Sequence, residues 1–392
     1  MTSAHRLTIA GALLLAFTTA AEAQKPRARD IGIPFEGSPG PNNAITDVAG
    51  VEVGMTTLIS GEGPLVVGKG PVRTGVTAIL PRGKASKDPV FASWFSINGN
   101  GEMTGTTWID EGGFLEGPVF ITNTHSVGTV RDAAIKWAVR HGMMQQSWAL
   151  PVVAETYDGG LNDINGFHVH DEHVFAALDG AAPGPVAEGN VGGGTAMNCY
   201  GYKCGTGTAS RRLSAQNGGY TVGVLVQANH GGNLRVAGVP VYLEMSNQPA
   251  PGAAPAPPGA EHAEEGSIII VIATDAPLMP HQLKRLAHRA SHGLGRTGAT
   301  SGNGSGDIAI AFSTANPGAA AAPETAPVTL VSNRRISSLF TATAEAVEEA
   351  IINALIAGET ITGANGRTSR AIDHEKLREV LRKHDRLVES GR

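Results

Sequence analysis

Aromatic and charged residues are scarce in this chain, and each shortage excludes a class of protein. Of 392 residues, 5% are aromatic and 17% are charged, whereas 52 are glycine and 23 are proline. Glycine is neither periodic nor a third of the chain, which excludes collagen, and an apolar content of 41% excludes a disordered chain. The net charge of −5 is accompanied by no basic stripe, so we expect no nucleic-acid partner.

Long apolar runs are also missing, apart from one near the N-terminus. His5 and Arg6 precede an apolar run over residues 7–17, and residues 21–23 read Ala-Glu-Ala, an A-x-A cleavage pattern. The run is too short for a membrane-spanning helix. We therefore predict a cleaved signal peptide over residues 1–23, a periplasmic mature protein and no association with the membrane.

Only two cysteines occur, Cys199 and Cys204. An oxidising compartment permits a disulfide between them, and the four intervening residues can close such a loop. Two free, buried thiols are the alternative that the sequence leaves open. A structural zinc site needs four ligands, and no second cysteine pair is present. We expect neither a metal ion nor an organic cofactor.

One long compositional break divides the predicted elements. Residues 246–266 are rich in proline, alanine and glycine, which predicts a solvated linker. The linker leads into five β-branched residues, 268–272, which are typical of a strand buried on both faces. The same patterns predict strands over 151–160 and 221–231, and helices over 131–142, 280–294, 337–358 and 373–389. Strands and helices mixed along the chain predict a layered α/β or α+β body.

Ser267 occupies an informative position, because it follows Gly266, ends the linker and opens the buried strand. A serine there suits an enzyme whose nucleophile becomes a chain terminus by self-cleavage. The freed α-amine, with a pKa of roughly 7.7–8, then serves as general base for the hydroxyl of the same residue. A plain Gly-Ser turn before a strand is the alternative interpretation.

Five further polar residues are candidates for the same site. Ser305 and Asp307 are two apart where a glycine-rich turn becomes a strand, so their side chains are expected on one face. Glu155 and Tyr157 are predicted to share a strand face in the same way. Asn229 ends a predicted strand, from which its amide could donate to a developing oxyanion. Capping and turn-stabilising roles are the alternative for each of them.

Long motifs spread over nearly the whole chain carry a family resemblance. They read RDIGIPFEGSPGPNNAITDVAGVEVGMTTL, NGNGEMTGTTWIDEGG, TYDGGLNDINGFHV, GNVGGGTAMNCYGYKCGTGTASR, VQANHG, GSIIIVIATDAPLMPHQLKRLAHRA and SGNGSGDIAIAFSTAN. Together they resemble the P1-family (S58) aminopeptidases, which include the L-aminopeptidase/D-esterases and the β-peptidyl aminopeptidases. The resemblance implies a self-cleaving, four-layer αββα sandwich, similar to the N-terminal-nucleophile (Ntn) hydrolases but with different connectivity.

The resemblance also implies which residues are catalytic. It places the nucleophile on Ser267, the cleavage site between Gly266 and Ser267, and the second catalytic serine on Ser305. The family's catalytic glutamate, two residues beyond that serine, falls on Asp307, whose side chain is one methylene shorter. This departure leaves the reach of the carboxylate to be settled by the structure.

Substrate contacts and chain organisation are implied in the same way. Asn229 and Tyr157 match the oxyanion donors, and Glu155 matches the residue that holds the free ammonium of the substrate. Cleavage would give an α chain of residues 24–266 and a β chain of residues 267–392, which form one catalytic domain. The family further implies a tetramer of such αβ units.

The sequence therefore predicts a self-processed serine aminopeptidase that acts on short peptides or amides with a free N-terminal amine. Preference among β-, L-α- and D-residues depends on pocket shape, which the sequence does not show. One alternative is an exported metal-dependent hydrolase that uses His168, His170 and His173. The other is a catalytically inactive binding homologue, which would remain one uncut chain.

Overall fold

The computed structural model describes residues 25–245, 265–321 and 323–388. The predicted signal peptide and most of the predicted linker lie outside them. The described strands are β1 (Glu52–Ser60), β2 (Val72–Leu80), β3 (Val90–Ser96), β4 (Phe114–Leu115), β5 (Val119–Asn123), β6 (Val152–Thr156), β7 (Asn198–Cys199), β8 (Tyr202–Lys203), β9 (Gly205–Arg212), β10 (Thr221–Asn229), β11 (Glu265–Thr274), β12 (Gly304–Ser313), β13 (Ile361–Thr362) and β14 (Thr368–Ser369). The described helices are α1 (Thr106–Gly112), α2 (Val127–Arg140), α3 (Asp171–Asp179), α4 (Pro280–Arg296), α5 (Ser337–Ile356) and α6 (His374–Lys383).

The helices and strands predicted from the sequence are confirmed, with small shifts at their ends. The four predicted helices correspond to α2, α4, α5 and α6, and the three predicted strands to β6, β10 and β11. The largest difference is in α6, which ends at Lys383 rather than continuing to residue 389. Strand β6 ends at Thr156 rather than at residue 160. Among the helices that the structure describes, none has the length and apolar character to cross a membrane.

Two sheets form the centre of the fold. One has four strands in the order β1-β2-β5-β6, and the other has six in the order β4-β3-β12-β11-β10-β9. In the larger sheet, β11 runs antiparallel to β10 and parallel to β12. The end of β10 therefore meets the beginnings of β11 and β12 at the same end of the sheet.

Apolar side chains between the layers hold the two sheets and their helices together. One core lies between the sheets, a second between the six-stranded sheet and helices α4 and α5, and a third between the four-stranded sheet and helices α2 and α3. The layers thus follow the order helix, sheet, sheet, helix. This is the αββα sandwich that the family resemblance implies.

Strand β11 is buried on both faces, as its run of β-branched residues predicts. Ile268, Ile270 and Ile272 pack toward the helices, whereas Ile269 and Val271 pack into the core between the sheets. All five are fully buried, and burying a side chain of this size contributes roughly 1.5–3 kcal/mol. The strand that follows the predicted nucleophile is therefore a rigid support.

Candidate active site

The end of β10 and the beginning of β11 bring two predicted site residues together. In the antiparallel pairing of these strands, Asn229 lies directly opposite Ser267, and both are buried. Alternation along the strands directs both side chains toward the other sheet, on the side where Leu225 and Ile269 pack. The predicted nucleophile and the predicted oxyanion donor thus share one face.

Ser305 and Asp307 lie on β12, next to β11. The Ser305 hydroxyl donates to Asp307 Oδ1 over 2.5 Å, and both side chains are buried. The predicted common face of these two residues is therefore confirmed. Although aspartate is one methylene shorter than the family's glutamate, its carboxylate reaches the serine.

The register places this pair beside the main chain of the nucleophile. Ser305 lies opposite Gly266, and Asp307 lies opposite Ile268, which packs toward the helices. Paired residues of neighbouring strands point to the same side of a sheet. The Ser305 and Asp307 side chains are therefore on the helix side, while the Ser267 side chain is on the other. The pair is adjacent to the Gly266–Ser267 peptide bond rather than to the hydroxyl.

Glu155 is a buried carboxylate near the end of β6. Its Oε1 accepts from the main-chain N–H of Glu102 at 3.1 Å, and its Oε2 accepts from the Thr124 hydroxyl at 2.5 Å. Burial raises the pKa of Glu155, and these two hydrogen bonds oppose the shift. Because a carboxylate has about four lone-pair sites, Glu155 can also accept from the ammonium group of a substrate.

The loop that contains Gly101 lies between Glu155 and strand β12. A Cβ built on Gly101 would lie 3.4 Å from Glu155 Oε1 and 3.0 Å from the Cα of Gly306. The main-chain N–H of Asn100 donates to the Ser305 carbonyl at 3.2 Å. The predicted amine-binding carboxylate and the predicted catalytic strand β12 therefore belong to one site.

Tyr157 does not share a strand face with Glu155, and this expectation was wrong. The strand ends at Thr156, and Tyr157 is 55% exposed whereas Glu155 is 3% exposed. The Tyr157 ring covers Gly159, where an added Cβ would lie 2.4 Å from its hydroxyl oxygen. The alternation argument fails because it holds only inside a strand. A role of the Tyr157 hydroxyl as oxyanion donor stays a prediction.

The Asn229 amide is fixed at both of its polar atoms. Its Oδ1 accepts from the main-chain N–H of Asn198 at 2.9 Å, and its Nδ2 donates to the Tyr157 carbonyl at 3.0 Å. An amide nitrogen carries two hydrogens, so one N–H remains for a substrate oxyanion. A donor oriented before the substrate binds is what electrostatic stabilisation of an oxyanion requires.

Asp158 is a buried acid that the sequence analysis missed. It follows Tyr157 directly, and Asn162 Nδ2 donates to its Oδ2 at 3.1 Å. Burial raises the pKa of Asp158 to about 7, even though hydrogen bonds from Thr74, Asn162 and Asn123 act in the opposite direction. The available signal was an aspartate near the end of a predicted strand, a pattern that surface turns also show.

We expect Asp158→Asn to gain stability relative to the parent as the pH rises, by about 2 to 3 kcal/mol between pH 5 and pH 8. In the parent, the folded pKa of about 7 exceeds the ordinary 3.8. The stability that the protonated acid contributes is therefore lost as the pH rises through 7, and asparagine does not titrate. Urea unfolding in an uncut Ser267→Ala background measures the difference, and parallel pH dependence of the two proteins would contradict it.

Of the three histidines of the alternative metal site, His168 contacts Asp163, whereas His170 and His173 contact each other. His168 Nε2 lies 2.9 Å from Asp163 Oδ2, and His173 Nδ1 accepts from the main-chain N–H of His170 at 2.9 Å. Among the residues that the structure describes, no group of three or more His, Cys, Asp or Glu side chains is placed to hold a metal ion. The described geometry therefore gives the metal-hydrolase alternative no support.

Cys199 and Cys204 are joined by a disulfide. The bond links the first strand of the hairpin formed by β7 and β8 to the residue after the second strand. Both cysteines are fully buried. Of the two possibilities that the sequence left open, the structure therefore shows the disulfide.

A separate cleft opens at the other end of the four-stranded sheet. Its lining includes Phe120, Val152, Trp137 and Trp148. Phe120 and Val152 belong to the beginnings of β5 and β6, whereas Glu155 lies near the end of β6. The cleft contains none of the predicted site residues and is not the candidate active site.

Sequence comparison supports the same family. The sequence profile of peptidase family S58 matches residues 43–369. The chain is 55% identical to the β-peptidyl aminopeptidase BapA of Sphingosinicella microcystinivorans, over 97% of both chains. It is 48% identical to the β-peptidyl aminopeptidase BapA of Sphingosinicella xenopeptidilytica, over 97% of this chain and 98% of that protein.

Structural comparison identifies the fold. The L-aminopeptidase D-Ala-esterase/amidase of Ochrobactrum anthropi matches with a TM-score of 0.84 and 50% identity, over 93% of this chain and 100% of that chain. That enzyme is a prototype for the serine aminopeptidases and a variant among the Ntn hydrolase folds. The fold is therefore this Ntn-hydrolase variant, and the chain belongs to peptidase family S58.

Proposed function

We propose that this chain is a serine aminopeptidase of the β-peptidyl or L-aminopeptidase type, which activates itself by cleavage between Gly266 and Ser267. The observation that carries this function is the pairing of a buried Ser267 with a buried Asn229 at the beginning of β11. Two relatives named β-peptidyl aminopeptidase, 55% and 48% identical over nearly the whole chain, support it.

Self-cleavage begins with attack by the Ser267 hydroxyl on the carbonyl carbon of Gly266. The C–N bond to Ser267 breaks, so the acyl group moves from nitrogen to oxygen. Water then hydrolyses the ester, which leaves a carboxylate on Gly266 and an α-amine on Ser267. We assign proton transfer in this step to the Ser305–Asp307 pair, because it is adjacent to this bond across the β11–β12 register.

Turnover then uses the new terminus. The Ser267 α-amine takes the hydroxyl proton while Oγ attacks the substrate carbonyl, and the free N–H of Asn229 stabilises the oxyanion, with the Tyr157 hydroxyl proposed as a second donor. The α-amine returns the proton to the leaving amine, and water hydrolyses the ester. Because Ser305 and Asp307 lie on the other side of the sheet from Oγ, we assign them to orienting the α-amine.

Glu155 selects substrates with a free N-terminal amine. Burial raises the pKa of Glu155 because it disfavours the ionised carboxylate. The ammonium group of a bound substrate offsets this desolvation cost and so stabilises the ionised form. The names of the relatives include β-peptides, L-amino acids and D-alanine esters or amides. A substrate panel for this chain should therefore contain all three classes.

We expect Glu155→Gln to raise the KM for amino-acid p-nitroanilides about 10- to 100-fold, because a hydrogen bond to a charged group contributes roughly 1.5–3 kcal/mol. Self-cleavage should be intact, since it involves no free amine. The matched control is Glu102→Gln, which removes an exposed carboxylate next to the site but keeps the main-chain donor to Glu155; its KM should change less than threefold.

Two results would contradict these assignments. Equal turnover of free and N-acetylated p-nitroanilides by the unmodified enzyme would remove the reason for assigning Glu155 to the ammonium. Loss of activity in EDTA that added zinc restores would contradict the serine mechanism itself.

Export to the periplasm and assembly into a tetramer of αβ units are further parts of this proposal. Export is supported by the leader pattern of residues 1–23 and by the buried Cys199–Cys204 disulfide, since disulfides persist in oxidising compartments. The family resemblance supports the tetramer. Cell fractionation with N-terminal sequencing, and light scattering of the purified protein, should show a chain that begins at residue 24 and the mass of four αβ units.

A further inference from the structure

The hairpin made of β7 and β8, here called the 198–203 hairpin, packs against the end of β10. The main-chain N–H of Asn198 donates to Asn229 Oδ1 at 2.9 Å. The main-chain N–H of Tyr200 donates to the carbonyl of His230 at 2.9 Å. The hairpin therefore contacts both the side chain of the proposed oxyanion donor and the main chain of the residue after it.

Lys203 is the unusual residue of this hairpin, because its side chain is 0% exposed. Its Nζ donates to the carbonyls of Met197 at 2.8 Å and Cys204 at 2.6 Å, with the carbonyl of Gly194 at 3.5 Å. Burial lowers the pKa of Lys203 well below its usual range. Among the described residues, Lys203 forms no salt bridge. An amino group buried without a carboxylate is costly, and its contacts with carbonyls are what satisfy it.

The contact of Lys203 with the Met197 carbonyl is linked directly to Asn229. The carbonyl of Met197 and the N–H of Asn198 belong to the same planar peptide unit. Lys203 Nζ and the main-chain N–H of Cys204, at 3.0 Å, hold the oxygen of this unit. The N–H on its other side donates to Asn229 Oδ1. A rigid plane thus links the buried lysine to the amide of the oxyanion donor.

The orientation of that amide decides whether Asn229 can act. The two ends of an asparagine amide have almost the same shape, but one donates hydrogen bonds and the other accepts them. A donor from Asn198 fixes which end is Oδ1 and so keeps Nδ2 on the side of the Tyr157 carbonyl. An amide turned by 180° would present an oxygen, which repels an oxyanion.

We propose that Lys203 is a positioning residue for the aminopeptidase reaction, because its hold on the Met197–Asn198 peptide unit fixes the Asn229 amide in its donating orientation. The inference rests on the proposed role of Asn229 as oxyanion donor. It predicts that removing the Lys203 amino group lowers kcat, while ground-state binding of substrate through Glu155 is unchanged.

The test is a double-mutant cycle on the processed enzyme. Removing one oxyanion donor costs roughly 100- to 1,000-fold in kcat, so we expect Asn229→Ala to retain measurable activity. Lys203→Met should lower kcat about 10- to 100-fold, a part of that full loss, with KM unchanged within twofold. In the Asn229→Ala background the same substitution should change kcat less than twofold, because no amide is left to orient.

Tyr202→Phe is the matched control in the same hairpin. The buried Tyr202 hydroxyl donates to the Met245 carbonyl at 2.5 Å, away from the Met197–Asn198 peptide unit. This variant should lower the melting temperature and keep kcat within twofold of the parent. Equal losses of kcat in Tyr202→Phe and Lys203→Met would show that any weakening of the hairpin suffices, and would overturn the assignment to Lys203.

Ser369→Ala provides a milder variant if Lys203→Met is not processed. The Ser369 hydroxyl donates to the Asn198 side chain from a half-buried position, so its loss should lower kcat about two- to fivefold, consistent with one net hydrogen bond. In the Asn229→Ala background this loss should vanish, and a loss of equal size in both backgrounds would overturn the inference, because the effect would not act through the Asn229 amide.

The outcomes distinguish a failure of the proposed role of Asn229 from a failure of the inference about Lys203. Asn229→Ala with unchanged kcat would overturn the role of Asn229 in the proposed function. Asn229→Ala with a large loss, combined with a Lys203→Met effect that is absent or equal in both backgrounds, would overturn only the role of Lys203.

Discussion

Replacement of Ser267 by alanine is expected to leave one uncut chain without measurable aminopeptidase activity. The hydroxyl of this residue is the proposed nucleophile in both self-cleavage and turnover, and its α-amine, the proposed base, is released only by the cut. Loss of a nucleophile in a well-studied serine protease costs about 10⁶-fold in kcat, and here the base is lost with it. Intact mass and p-nitroanilide turnover measure both effects.

Ser305→Ala is the matched comparison, because Gly304–Ser305 is the second Gly-Ser bond at the beginning of a strand. This variant should impair catalysis and slow processing without moving the cut, since Ser305 contacts Asp307 beside the scissile bond. N-terminal sequencing of the smaller fragment should read Ser-Ile-Ile-Ile. A fragment that begins Ser-Gly-Asp-Ile would place the nucleophile at Ser305 and contradict the assignment.

Gly266→Ala is expected to block or strongly slow self-cleavage, although the nucleophile is intact. Gly266 has a φ of +133°, and a Cβ at this position would lie 2.1 Å from the carbonyl oxygen of Asn229. Main chain cannot move aside as a flexible side chain does, so the scissile carbonyl must shift away from Ser267. Backbone strain of this kind costs of order 1–3 kcal/mol, which corresponds to roughly a 5- to 150-fold slower cut.

A time course of intact mass after folding measures this rate. Gly160→Ala is the control, because it lies near the site, has no positive φ and has open space around an added Cβ. It should be cut at the rate of the parent. Thermal unfolding of the uncut Gly266→Ala chain checks that the fold has formed. Cutting of this variant at the parent rate would show that self-cleavage does not need the close approach of Gly266 to the Asn229 carbonyl.

Much of the scaffold could be predicted from local pattern. The β-branched run over 268–272 predicts a doubly buried strand, and its five side chains are fully buried. Apolar spacing predicts helices that correspond to α4 and α5. The two-residue spacing predicts that Ser305 and Asp307 share one strand face, and in the structure their side chains form a hydrogen bond of 2.5 Å. These predictions succeed because each depends on residues close together in the chain.

The contacts that organise the site could not be predicted in this way. Nothing local shows that β6 ends at Thr156, which exposes Tyr157 and leaves Asp158 buried. The end of the strand depends on packing between sheets. The same holds for Lys203, to which the sequence analysis assigned no environment and which is buried against carbonyls.

The amino-acid sequence by itself determined the types of the elements, the family, and the position of the predicted nucleophile at the beginning of a buried strand. It could do so because periodicity, composition and long motifs are properties of consecutive residues. Only the tertiary structure decided which side of the sheet each predicted catalytic group occupies and which atoms hold the Asn229 amide. Those outcomes depend on strand register and on hydrogen bonds between segments distant in the chain, such as Asn198 to Asn229. A shift of one residue in register reverses the face of every side chain, so the geometry of this site exists only once the sheets have paired.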